Sequence, residues 1–187
     1  MTAPARRRAS YEDVLQAPPN MIAEVIYGAL HTQPRPAFRH ANASSHLGIL
    51  LGAPFRFGKG GPGGWVILDE PELHLGDDIL VPDIAGWRRE RLAELPEDAP
   101  WTTIVPDWIC EVLSPSTQAL DRADKMEIYL RERVGHAWLV DPIVRTLEIY
   151  RFAETVWQRV AVFRDDALVR GEPFDAFELE LGLLWER

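Results

Sequence analysis

A chain of 187 residues, 47% of them apolar and 26% charged, is long enough to bury one core without disulfides and is neither disordered nor fibrous in composition. Its 20 basic and 29 acidic residues leave a net charge of −9, which argues against a protein that coats nucleic acid by overall attraction to phosphate, though not against a locally basic face. Cys110 is the single cysteine, no apolar run reaches membrane-spanning length, and the start MTAPARRRASYED lacks the apolar stretch of a signal peptide. The expectation is one cytoplasmic domain over 1–187, frayed at 1–9, with no membrane partner.

In chain order, Ser10 with Asp13 three residues on reads as the N-cap of a short helix over 10–17, stopped by Pro18 and Pro19. Met21–Tyr27 is an apolar strand interrupted by one acid, Glu24, and Gly28 turns it into a second short strand. Ala43, Leu47, Leu50 and Leu51 fall at helical spacing within 39–51. The glycine-rich stretch 58–64 matches no phosphate-binding fingerprint and reads as a loop. Strands follow at 65–68, 73–75 and 79–87, then a charged segment over 88–100, a strand at 108–113 and a long helix over 116–134. Three more strands over 137–163 and an apolar tail over 174–184 complete an α+β or mixed α/β order.

Several acids and one lysine stand out. Asp83 follows Val81-Pro82 at a strand start. Glu111 shares a strand face with Ile109 and Leu113, so a buried carboxylate there needs a compensating cation, unless it reaches solvent or an arginine. Asp121, Lys125 and Tyr129 line one helical stripe, either as an exposed ion pair or as part of a site. All basic residues but Lys59 and Lys125 are arginine, so a lysine on that stripe is notable: a compact ammonium can sit beside a scissile phosphate. Asp83, Glu111 and Lys125 together suggest metal-assisted phosphodiester hydrolysis, with carboxylate oxygens for a hard cation and the ammonium for developing charge. Two such carboxylates about 4 Å apart repel by roughly 4 kcal/mol at an effective dielectric of 20. The histidines lack zinc spacing, and His40 and His46, six residues apart, fall on different helix faces. Trp87 and Trp101 are candidates for base stacking.

The segments PDIAGW, PDWICEVLSPST and DRADKMEIYLRERVGHAWLVDP resemble the Uma family of bacterial "putative restriction endonucleases", within the PD-(D/E)XK nuclease superfamily, and the similarity runs from about Tyr11 to Phe163. Glu24 and Gly28 fit that family's early hairpin, and His46 lies where a helical histidine is common in it. The resemblance implies a restriction-endonuclease-like fold, a mixed sheet flanked by helices. It implies a Mg²⁺- or Mn²⁺-dependent endonuclease acting on DNA. Asp83 and Glu111 would be the motif acids, Val112 a further metal contact, Lys125 the catalytic lysine and Glu24 an accessory acid. Leu113 stands where the lysine two residues after the acid is usual, so Lys125 would supply it from the following helix. The alternative is a weak or inactive member serving as a nucleic-acid- or protein-binding module. A homodimer is expected because 156–163 is apolar on both alternating sets, Val156, Val160 and Val162 on one and Trp157, Ala161 and Phe163 on the other.

Overall fold

The computed structural model describes residues 7–91 and 98–186. Two sheets carry the architecture. A five-stranded sheet has the order β2-β1-β5-β4-β7 and a six-stranded sheet the order β11-β10-β9-β8-β6-β3, and a two-stranded ribbon pairs β12 with β13. The strands are β1 (Met21–Ile26), β2 (Ala29–Pro34), β3 (Trp65–Asp69), β4 (Glu72–Leu75), β5 (Asp78–Leu80), β6 (Ile84–Arg88), β7 (Trp101–Thr102), β8 (Trp108–Val112), β9 (His136–Asp141), β10 (Thr146–Ala153), β11 (Val156–Arg164), β12 (Leu168–Val169) and β13 (Leu179–Glu180). Helix α1 covers Tyr11–Leu15 and α2 Phe38–Leu51, the latter running on into a π turn at Gly52–Arg56. Helix α3 has three parts: α-helical Gln118–Leu120, a π turn at Asp121–Lys125 and α-helical Met126–Arg131. Mixed sheets flanked by helices are what the sequence implied.

β8 is buried along its whole length and separates two cores. Trp108, Cys110 and Val112 face one core, with α2 and the C-terminal Phe174, Leu181 and Leu184. Ile109 and Leu113 face the other, which lies against the five-stranded sheet and α3. The two-residue side-chain period of a strand produces this division and puts Glu111 on the face of Ile109 and Leu113. Gly86 on β6 lies under close packing: a Cβ there would stand 3.1 Å from the Trp108 ring and 3.3 Å from that of Trp65, so one of the rings would have to give way.

Several expectations change. The expected strand 79–87 is two strands in different sheets, β5 and β6, joined by Val81-Pro82-Asp83. Pro82 has no N–H to give to a ladder, so pairing stops there and the chain crosses from sheet to sheet. The helix expected over 116–134 spans 118–131, with a π turn at Asp121–Lys125, and Asp121, Lys125 and Tyr129 on its stripe are all buried. Of the expected frayed terminus, 7–9 is tied down: Arg7 pairs with Asp13 and the Ala9 N–H donates to Gly28 O, while residues 1–6 lie outside the described residues. Part of the charged segment 88–100, at 92–97, also lies outside them. On β11 a bulge opposite Ile149 and Tyr150 leaves Val160 unpaired and switches the alternation. Trp157 therefore packs under α3, and Val160, Ala161 and Phe163 pack on the first core. Val156 and Val162 stay exposed on this edge strand, so the chain itself covers most of the surface that suggested a partner.

Candidate active site

The crossing at Val81-Pro82-Asp83 lies beside a cleft of about 340 Å³, lined by His40, Asp83, Glu111, Asp121 and Lys125 among others. These residues come from several parts of the fold. Glu24, just behind them, projects from β1 of the five-stranded sheet, and Glu111 from β8 of the six-stranded sheet. Asp121 and Lys125 come from the π turn of α3, and His40 from the first turn of α2.

At the centre is Lys125, its side chain 1% exposed. Its Nζ lies 3.0 Å from Glu24 Oε1, 2.9 Å from Glu111 Oε1 and 3.7 Å from Asp121 Oδ1, and donates to Val81 O at 3.4 Å. Glu24 Oε1 also accepts the Val81 N–H at 2.8 Å. Glu111 Oε1 also accepts the Tyr129 hydroxyl at 2.7 Å. Asp83 Oδ2 accepts the Val112 N–H at 2.7 Å, and Asp83 Oδ1 lies 3.2 Å from His40 Nε2. Asp83, Glu111, Lys125, Glu24 and the Val112 backbone are thus brought together, and Tyr129 and Asp121 join them.

The electrostatics follow from one ammonium among three buried carboxylates. Burial alone would lower the Lys125 pKa, but Glu111 and Glu24 outweigh it and hold the pKa well above the ordinary value, so the ammonium stays charged. One cation cannot neutralise every acid. Burial therefore raises the pKa of Glu111 well above the usual carboxylate range, against the pull of Lys125, and raises that of Asp121 too. Burial also raises the Tyr129 phenol, with Glu111 adding to it, which keeps Tyr129 a neutral donor. At His40, burial pulls the pKa down, yet contact with Asp83 leaves it raised. The Cys110 thiol, fully buried, is pushed well up and is chemically inert.

The donor set fits a hard divalent cation in its chemistry. Carboxylate oxygens outnumber cationic groups in the cleft. Glu111 Oε1 takes both Lys125 and Tyr129, whereas its Oε2 accepts no hydrogen bond from the described residues. Among the described residues, no three His, Cys, Asp or Glu side chains already stand around one point as a metal cage. Any ion there would be held by Asp83, Glu111 and the Val112 main chain, with water completing its shell.

His46, singled out by the resemblance, is elsewhere: its Nδ1 lies 2.6 Å from Leu183 O, clasping the C-terminal turn. The histidine of the cleft is His40, which the sequence marks only by its place on the opposite helix face. Trp87 cannot stack on a base, since it is buried and its Nε1–H donates to Ile104 O. Trp101 is already stacked on His74, with ring centroids 4.5 Å apart.

Residues 9–183 match the family Uma2, described as "Putative restriction endonuclease". Among solved structures, a crystal structure described as "a putative nuclease belonging to DUF820", from Anabaena variabilis ATCC 29413, superposes with a TM-score of 0.76 at 24% identity, covering 95% of this chain and 97% of that one. No curated protein matches.

Proposed function

Because this chain belongs to the Uma2 family, whose description is "Putative restriction endonuclease", we propose that it is a Mg²⁺- or Mn²⁺-dependent endonuclease that hydrolyses phosphodiester bonds in DNA. The observation that supports this best is the juxtaposition of Asp83, Glu111 and Lys125 in one cleft, with Glu24 behind them. In this reading Asp83, Glu111 and the Val112 carbonyl would hold the cation, which would supply charge to polarise the phosphate and lower the pKa of water. Tyr129 fixes the Glu111 carboxylate by hydrogen bonding, and His40 holds Asp83. Lys125 offsets the negative charge of the acids and, from the cleft floor, stabilises charge developing on the phosphate. The test is nicking of supercoiled plasmid with Mg²⁺ or Mn²⁺, comparing wild type with Asp83→Ala. Nicking by wild type alone supports the reading, and equal nicking by both refutes it.

One observation favours the other reading, a binding module without turnover. The Lys125 ammonium is held by Glu24 and Glu111 rather than presented to solvent. DNA binding without nicking under any divalent ion would select it. We further propose a cytoplasmic homodimer, paired along the open edge of β11, where Val156 and Val162 are exposed.

A further inference from the structure

The cleft has a second ion pair at its mouth. Arg35 sits in the linker from β2 to α2, and Glu70 in the turn from β3 to β4; both line the cleft. Arg35 Nη1 donates to Glu70 Oε2 at 2.9 Å, with the side chains 60% and 36% exposed. Glu70 is fixed beside the motif aspartate, because its N–H donates to Asp83 O at 3.0 Å. Arg35 stands between Pro34 and Pro36, which restrict its backbone and leave the side chain as the moving part.

Among the described residues, two permanent cations, Arg35 and Lys125, and the titratable His40 line this cleft. Lys125 is buried in its carboxylate cluster and His40 is held against Asp83, so Arg35 presents the one exposed guanidinium among them. Glu70, Asp83, Glu111 and Asp121 line the same cleft, so an anionic substrate entering it is opposed by each carboxylate that is ionised and not offset by a cation. It needs a cation that can leave its partner. An exposed ion pair contributes little, whereas a guanidinium can make two parallel hydrogen bonds to a phosphate.

We propose that Arg35 is a phosphodiester clamp at the mouth of the cleft, and that Glu70 is its latch, holding the guanidinium until a backbone phosphate displaces the carboxylate. Arg35 is thus a positioning residue. The inference rests on the nuclease reading only for the identity of the anion.

The test is a double-mutant cycle read by binding of a short fluorescent DNA duplex across a salt series. Ca²⁺ is present to fill the carboxylate site, and cleavage in Mg²⁺ is measured separately. Arg35→Gln should weaken binding about fivefold to tenfold and reduce the slope of log K against log salt by about 0.9, the signature of one lost phosphate contact. Arg35→Lys should keep most of the slope. Glu70→Gln should tighten binding about twofold to fivefold in the wild-type background and by less than twofold with Arg35→Gln. In cleavage, Arg35→Gln should raise KM and leave kcat nearly unchanged. An unchanged slope in Arg35→Gln overturns the clamp. Equal tightening by Glu70→Gln in both backgrounds overturns the latch, and so does wild-type protein that binds no duplex. If the cycle holds but wild type never cleaves, the clamp stands and the nuclease reading falls. If cleavage is intact and Arg35→Gln has a wild-type KM, the reverse is true.

Discussion

Replacing Lys125 with methionine keeps the length and most of the volume of the side chain but removes its charge. The lost groups are specific: Nζ at 3.0 Å from Glu24 and 2.9 Å from Glu111, with both partners 2% exposed. Removing one partner of a buried ion pair strands the other and costs about 3–5 kcal/mol. In a domain of this size, each kcal/mol moves the melting temperature by roughly 2–4 °C, so Lys125→Met should melt roughly 6–20 °C below wild type in EDTA. Adding Glu111→Gln to Lys125→Met should return part of that loss, because one stranded carboxylate goes with it. Mg²⁺ should stabilise Lys125→Met at least as strongly as wild type, since a cation bound only to the folded state adds about 2.7 kcal/mol at 100 times its Kd. The assay is thermal unfolding in EDTA and in a Mg²⁺ series. A Lys125→Met protein within about 1 kcal/mol of wild type in EDTA would refute the reasoning, because the ion pairs would then carry no net stability.

Asp83→Ala should abolish both nicking and the Mg²⁺-induced rise in melting temperature. It should also destabilise the metal-free protein by about 1–3 kcal/mol, because the Val112 N–H loses its acceptor; equal or higher stability in EDTA would contradict that. Lys125→Arg should retain a Mg²⁺-dependent melting shift and lose plasmid nicking, since a planar guanidinium does not fit the space of a compact ammonium. On the outer face, burial pushes the Glu148 pKa up, but hydrogen bonds from Arg122 and Tyr150 outweigh it and leave the pKa lowered. Its stabilisation is therefore present above about pH 4.3, the ordinary glutamate pKa, and is lost as pH falls through the folded value. The melting difference between wild type and Glu148→Gln should shrink on acidification below that point, and a constant difference down to pH 3 would count against it. For the homodimer, light scattering at micromolar concentration should give twice the 21.2 kDa chain mass.

Asp83, Glu111, Lys125 and Glu24 could be picked out of the sequence, but His40 and the way these residues meet could not. Glu111 shares its strand face with Ile109 and Leu113 because a strand alternates, and that is legible in any sequence. The burial of Lys125 depends on α3 being covered on two sides, which no local pattern announces. On an unbroken helical wheel Lys125 points away from the arc of Leu120, Met126, Leu130 and Val134. Burial of Ile128 and Tyr129 on the Lys125 side shows that the helix is covered there as well. Asp83 and Glu111, as sequence neighbours of apolar strands, suggested two repelling acids. The structure gives each its own partner: the Val112 amide and His40 for one, Lys125 and Tyr129 for the other. His40 went unmarked because its role depends on where α2 starts relative to Asp83, a long-range relation with no local pattern.

The crossing at Val81-Pro82-Asp83 means that neither sheet owns the site. One acid rides on the five-stranded sheet, another on the six-stranded sheet, and the lysine that touches both rides on a helix packed across them. The site therefore works as an alignment gauge. A slide of one sheet over the other by even an ångström would pull Glu24 and Glu111 apart and leave the ammonium between them short of a partner. Substitutions at the apolar contact between the sheets, such as Leu73 or Leu80, would then register in the cleft without touching it. Drift of the two sheets would appear first as a broken Glu24–Lys125–Glu111 contact and only later as lost fold.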